Sequence, residues 1–88
     1  METNIEQNIE TRVAIIAIIV EGRKNVPVIN GYLHEFSDYI IGRMGIPYRE
    51  KNINIISIVI DAPSDAISAL AGKIGRLDDV SVKTVYSK

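Results

Sequence analysis

The chain has 88 residues, no cysteine and no tryptophan, so it is bounded to one small domain with few chemical resources. Without cysteine there are no disulfides, thiolate metal sites, iron–sulfur ligands or cysteine nucleophile. Ten Lys+Arg against eleven Asp+Glu give a net charge of −1. That balance lacks the basic excess of a free-standing nucleic-acid binder, so no direct DNA or RNA binding is expected.

The 17 Ile and 8 Val outnumber the three Leu, and this β-branched bias favours pleated strands over a helical bundle. Residues 1–11 are polar and acidic, and read as a flexible N-terminal tail rather than a targeting peptide. A single domain is expected over 12–88. Val13 to Val20 is apolar on both alternating faces and reads as a central, doubly buried strand. No apolar run approaches the roughly 20 residues of a spanning helix, so no membrane association is expected and the cytoplasm is the expected location.

A polar connection, Glu21-Gly22-Arg23-Lys24-Asn25, follows, with Asn25 as helix cap and Pro27 in the first turn. Ile29, Tyr32, Leu33 and Phe36 fall on one helical face, and that helix should end near Ser37 to Tyr39. Ile40 to Arg49 contains Gly42, Gly45 and Pro47 and reads as an edge strand. Glu50 to Asn52 forms a turn, and Ile53 to Ile60 is a second, mainly apolar strand. Ser64 is the expected cap of the next helix, with Asp65 near its positive end and Ile67, Leu70, Ala71, Ile74 and Leu77 as its buried stripe. Gly72 and Gly75 suggest close packing on the sheet or a helix end at Gly75. Ser81 to Val85 closes the chain as a short strand.

The order β-α-β-β-α-β is the split βαβ pattern of an α+β, ferredoxin-like sandwich: a four-stranded antiparallel sheet with two helices on one face. Right-handed crossovers put the first and third strands in the centre and the second and fourth at the edges. Both central strands are apolar on both faces. The third strand splits into Asn54, Ile56, Ile58 and Ile60 against Ile53, Ile55, Ser57 and Val59; the face without helices is the expected oligomer interface, and Ile53, Ile55, Ser57 and Val59 are assigned to it, although alternation alone leaves the choice of face open. The competing reading is that scattered exposed aliphatics are normal.

Residues that could carry chemistry are sparse. His34 is the only histidine; Glu35 and Asp38 are its only near-sequence metal-ligand candidates, and a surface or interface histidine is the plainer reading. No metal or other cofactor is expected, and Ser37 and Ser64 read as helix-end residues rather than nucleophiles. In the Glu21–Asn25 connection, free N–H groups could hold an anion with charge added by Arg23 or Lys24, against the alternative of an ordinary solvated turn. The dispersed tyrosines, 32, 39, 48 and 86, lack the aromatic pair of an RNA-recognition sheet.

Four linked motifs carry a family resemblance: Leu33-His34-x-Phe36-Ser37, then Ile41-x-Arg43-x-Gly45-x-Pro47-x-Arg49-Glu50, then Ala69-Leu70-x-Gly72-Lys73-x-Gly75, and finally Val80-x-Val82-Lys83-Thr84-Val85. In this order they resemble the iron-only hydrogenase system regulator family, over about residues 12 to 86. Those proteins are similar to ACT domains and to the C-terminal domain of the nickel-responsive regulator. The resemblance implies an ACT-like fold, assembly into dimers or tetramers through sheets, and a non-catalytic regulatory role.

By position, the effector site of ACT domains falls on Glu21, Gly22, Arg23, Lys24 and Asn25. The nickel regulator's metal site needs several histidines and a cysteine, so it is absent here. The leading expectation is a homo-oligomeric sensor that binds a small ligand between subunits and acts through a protein partner. The alternative is a ligand-free oligomerisation or docking module. An acylphosphatase-like enzyme is a third reading; Arg23 and Asn25 are present, but the loop departs from that enzyme's glycine-rich pattern.

Overall fold

A computed structural model describes residues 10–88. The expected tail, residues 1–11, lies outside the described residues apart from Glu10 and Thr11. Six principal elements follow: β1 (Arg12–Glu21), α1 (Val26–Glu35), β2 (Ile40–Tyr48), β3 (Ile53–Ala62), α2 (Ser64–Gly75) and β4 (Val80–Tyr86). Single 3₁₀ turns at Ser37–Tyr39 and Arg49–Lys51 complete the connections.

The sheet order is β2-β3-β1-β4 and every pairing is antiparallel. The two apolar strands are thus central, and the glycine- and proline-bearing strand is an edge, as the sequence pattern requires. Pro47 cannot donate to a ladder, and an edge position is where that loss is tolerated. A register shift between Ile40 and Gly42 bulges β2 and leaves Ile41 exposed.

Period-2 alternation divides the strands cleanly. Ala14, Ile16, Ile18 and Val20 of β1 are buried with Ile56, Ile58, Ile60 and Ala62 of β3. Ile29 and Leu33 of α1 and Ile67, Leu70 and Ile74 of α2 cover them, at helical spacings that place each set on one face. Tyr32, Phe36, Ala66 and Leu77 pack around this core as half-buried flanks. One exposed ion pair, Lys73 Nζ to Glu35 Oε1 at 2.9 Å, links the two helices.

Three local expectations are corrected. Asn25 precedes α1 but makes no side-chain cap; its Nδ2 donates instead to the carbonyl of Asp78 at 2.7 Å, because the α2–β4 turn lies within reach. Ser64 is the first helical residue rather than the cap. Pro63, at φ −58 and ψ 147, takes that place and its carbonyl accepts from the Ala66 and Ile67 amides. Gly72 and Gly75 do not mark close packing on the sheet: a Cβ at Gly72 would meet only Arg76 Nη2 at 3.8 Å, and one at Gly75 would meet nothing. The other expectation for this pair holds, since α2 ends at Gly75.

Candidate functional site

Two surfaces stand out: an uncovered sheet face and a cleft at one end of the sheet. The face follows from the registers. Gly42, Val59, Ile15 and Val85 form one cross-strand row; Met44, Ser57, Ala17 and Lys83 form the next. Ile46, Ile55, Ile19 and Ser81 form a third, Tyr48, Ile53 and Glu21 close one end of the sheet, and Val13 beside Asp61 closes the other. All lie opposite the buried core set, so no helix covers them.

The four sequence-predicted members, Ile53, Ile55, Ser57 and Val59, all lie on this face and are half-buried by their strand neighbours. The remaining surface belongs to adjacent strands: Val13, Ile15 and Ile19 of β1 stay 41–44% exposed, Met44 and Ile46 of β2 about half, and Val85 of β4 64%. A contiguous apolar area on a sheet is a different matter from aliphatics scattered singly. The edge-strand members Met44, Ile46, Tyr48 and Val85 were missed in sequence; strand alternation alone could have included them.

The cleft lies where the β1–α1 connection meets the β2–β3 turn. It encloses about 480 Å³ and is lined by Arg23, Pro47, Arg49, Asn52, Ile53 and Asn54. Its walls are held by backbone geometry. Gly22 adopts φ +78, which glycine enters without a Cβ penalty, and its amide donates to the Asn52 carbonyl at 2.8 Å. Asn52 itself is left-handed at φ 56, a conformation asparagine tolerates better than most residues. Asn54 Nδ2 donates to the Gly22 carbonyl at 3.0 Å, stitching the loop to the start of β3 from the second side.

The five residues predicted from the first connection therefore separate. Arg23 lines the cleft. Gly22 shapes the loop, but its N–H is already donated and is not available to an anion. Asn25 ties the loop to the α2–β4 turn through Asp78. Glu21 ends β1, with its amide donating to the Asp79 carbonyl at 2.9 Å, and Lys24 is exposed outside the cleft lining. Arg49 stands in the second motif, but neither it nor Asn52 and Asn54 were assigned to the cleft, because they come from the hairpin more than twenty residues away and only the fold brings them to Arg23.

A smaller cavity of about 170 Å³ adjoins the first through Pro47 and Asn54, beside Arg43, whose Nη2 donates to Asn30 Oδ1 at 3.0 Å. His34 is exposed near the end of α1, and no cluster of three His, Asp or Glu able to hold a metal occurs among the described residues. No helix among them is long and apolar enough to cross a membrane.

The one-sided sandwich with its open apolar face and a cleft beside the first strand–helix loop has the ferredoxin-like architecture of an ACT-like domain. Residues 12–84 match the TM1266-like family, described as "Iron-only hydrogenase system regulator, putative", and the chain belongs to that family. The structure of the uncharacterized protein TM1266 from Thermotoga maritima is similar at 44% identity and a TM-score of 0.85, covering 90% of this chain and all of that one.

Two more distant structures share the fold alone. A formyltetrahydrofolate deformylase from Pseudomonas putida is 16% identical with a TM-score of 0.61, covering 83% of this chain and 28% of the enzyme. An unknown protein from Galdieria sulphuraria is 13% identical with a TM-score of 0.63, covering 90% and 46% of the respective chains. No curated protein matches the chain.

Proposed function

We propose that this regulatory domain works as a homo-oligomer, a dimer or tetramer, whose chains bury their open sheet faces against one another. A small effector then binds in the cleft at the β1–α1 connection, and the liganded assembly acts on a protein partner. The open face is the observation that carries this reading. Its seven most exposed apolar side chains leave roughly 600 Å² uncovered, against the roughly 800 Å² per partner of a standard interface. The half-buried Ile53, Ile55 and Val59 extend that area between them. A second copy of the same face is a complementary cover, because only three charged residues, Glu21, Asp61 and Lys83, occur in its cross-strand rows, all of them towards the ends or the edge of the sheet.

The family description supports control of the iron-only hydrogenase system rather than catalysis in it. Glu21, Gly22, Arg23, Lys24 and Asn25 form the connection proposed for effector binding; Arg23 supplies the contact, and Gly22 and Asn25 hold its shape. Calorimetry with a panel of amino acids and small metabolites tests the sensor role. Saturable heats that disappear in a Gly22-loop variant are the expected result. No binding to any member at millimolar concentration refutes it.

The second reading, a docking module without ligand, draws on the hydrogen bonds that close the loop onto protein rather than solvent. Affinity capture followed by mass spectrometry separates the two. A stable partner that persists when the loop is altered, together with silent calorimetry, favours docking.

A further inference from the structure

We infer that the cleft takes a small oxyanion, a carboxylate or phosphate group on a small molecule, clamped between the guanidinium groups of Arg23 and Arg49. The inference rests on the sensor reading of the same cleft and adds the chemistry of its ligand. Two residues from distant parts of the chain, on either side of the β1–β3 contact, line a single cavity of about 480 Å³. That volume falls within the range of small-molecule sites.

The lining contains two permanent cations and two asparagines, and no carboxylate. In a chain of net charge −1 this is a local departure from the overall balance. Among the described residues neither guanidinium has an ion-pair or side-chain hydrogen-bond partner. By contrast, Arg43 donates to Asn30, and Arg12 donates to the Ser87 carbonyl while stacking over Tyr86 at 4.2 Å. The nearest hairpin carboxylate, Glu50, accepts from the Tyr48 hydroxyl at 2.9 Å.

A guanidinium is a planar fork of donors matched to carboxylate and phosphate oxygens, so two arginines lining one cavity select for an oxyanion over a neutral or cationic guest. The loop hydrogen bonds from Gly22 to Asn52 and from Asn54 to Gly22 hold the two cationic segments together before any ligand arrives. Such preorganisation lowers the ordering cost of binding.

Amide-resolved NMR titration of the full chain tests this, with sodium succinate and inorganic phosphate as probes and succinamide as the uncharged isostere of succinate. Saturable shifts confined to residues 22–25 and 47–54 are expected from the anions alone. R23Q and R49Q should each weaken binding about tenfold or more, the loss of a charge-assisted hydrogen bond. R76Q, at the end of α2 and outside the cleft, should leave it unchanged. Both cleft arginines are exposed, and the spectra themselves report that each variant is folded.

Equal binding of succinamide, unaltered affinity in both variants, or the absence of saturable shifts with both anions overturns the oxyanion assignment. A neutral metabolite that binds the same cleft while the anions do not would sink this inference and leave the sensor reading standing. Silence from the anions and from the whole metabolite panel would remove both.

Discussion

Ile15→Lys separates the folding role of β1 from its proposed role between chains. Ile15 lies between Val59 and Val85 on the open face and is 44% exposed, whereas its neighbours in sequence, Ala14 and Ile16, are buried. The uncovered part of the side chain, roughly 80 Å², is worth about 2 kcal/mol when a second copy removes it from water. A two-fold interface contains the residue twice, so about 4 kcal/mol is at stake, or about a thousandfold in the dimer dissociation constant. Burying an unpaired ammonium adds to that loss. The isolated domain should barely notice, since a lysine at this position points into solvent and Lys83 already occupies the same face. Sedimentation velocity over a wide concentration series should show the native chain as an oligomer and I15K as a folded monomer. An unchanged sedimentation coefficient in the variant would refute the assignment of this face as the interface, and so would a monomeric native chain.

Ile58 is fully buried at the centre of β3, so Ile58→Ala should cost about 2–5 kcal/mol and lower the melting temperature by about 10 °C or more, measured by calorimetry. Two glycines should respond oppositely to alanine in urea unfolding. Gly31→Ala in α1, where a Cβ meets nothing, should stabilise by about 1 kcal/mol, while Gly22→Ala should destabilise by about 1–2 kcal/mol because φ is +78. The opposite order would discredit the backbone argument for Gly22. Asn25→Ala removes the 2.7 Å bond to the Asp78 carbonyl and should cost about 1 kcal/mol, read from the same unfolding curves; a neutral result would mean that the bond contributes nothing net.

The fold was legible because its signals are periodic and mutually consistent. Val13 to Val20 has no polar member, Ile53 to Ile60 has only Asn54 and Ser57, and such runs belong in the middle of a sheet. Helix ends were less legible. Asn25 and Ser64 have the chemistry of caps, but the amide of the first is turned to donate to a carbonyl across the fold and the second was displaced by Pro63. Propensity describes what a side chain can bond locally and is silent about carbonyls brought near by tertiary structure. The cleft shows the same limit more strongly. Arg23 could be singled out because it follows a strand and a glycine, whereas Arg49, though part of a motif, carries no sign in sequence that it reaches the same cleft. Only the β1–β3 register, Glu21 beside Ile53, brings the two segments together.

The strand order also sets a demand on folding. β1 is made early, yet its two neighbours come later: Arg12 pairs with Ala62 and Ala14 with Tyr86. A strand apolar on both faces must therefore wait for β3 before one edge is satisfied, and for β4 before the other is. Contacts this distant in sequence slow the search for the native state, and an unpaired apolar strand invites pairing with other chains in the meantime. The two ends of the domain meet at that last step, where the Ser87 amide donates to the Val13 carbonyl at 2.9 Å. The sheet is thus closed by β4, and a polypeptide lacking that strand would leave its own central strand as an open edge.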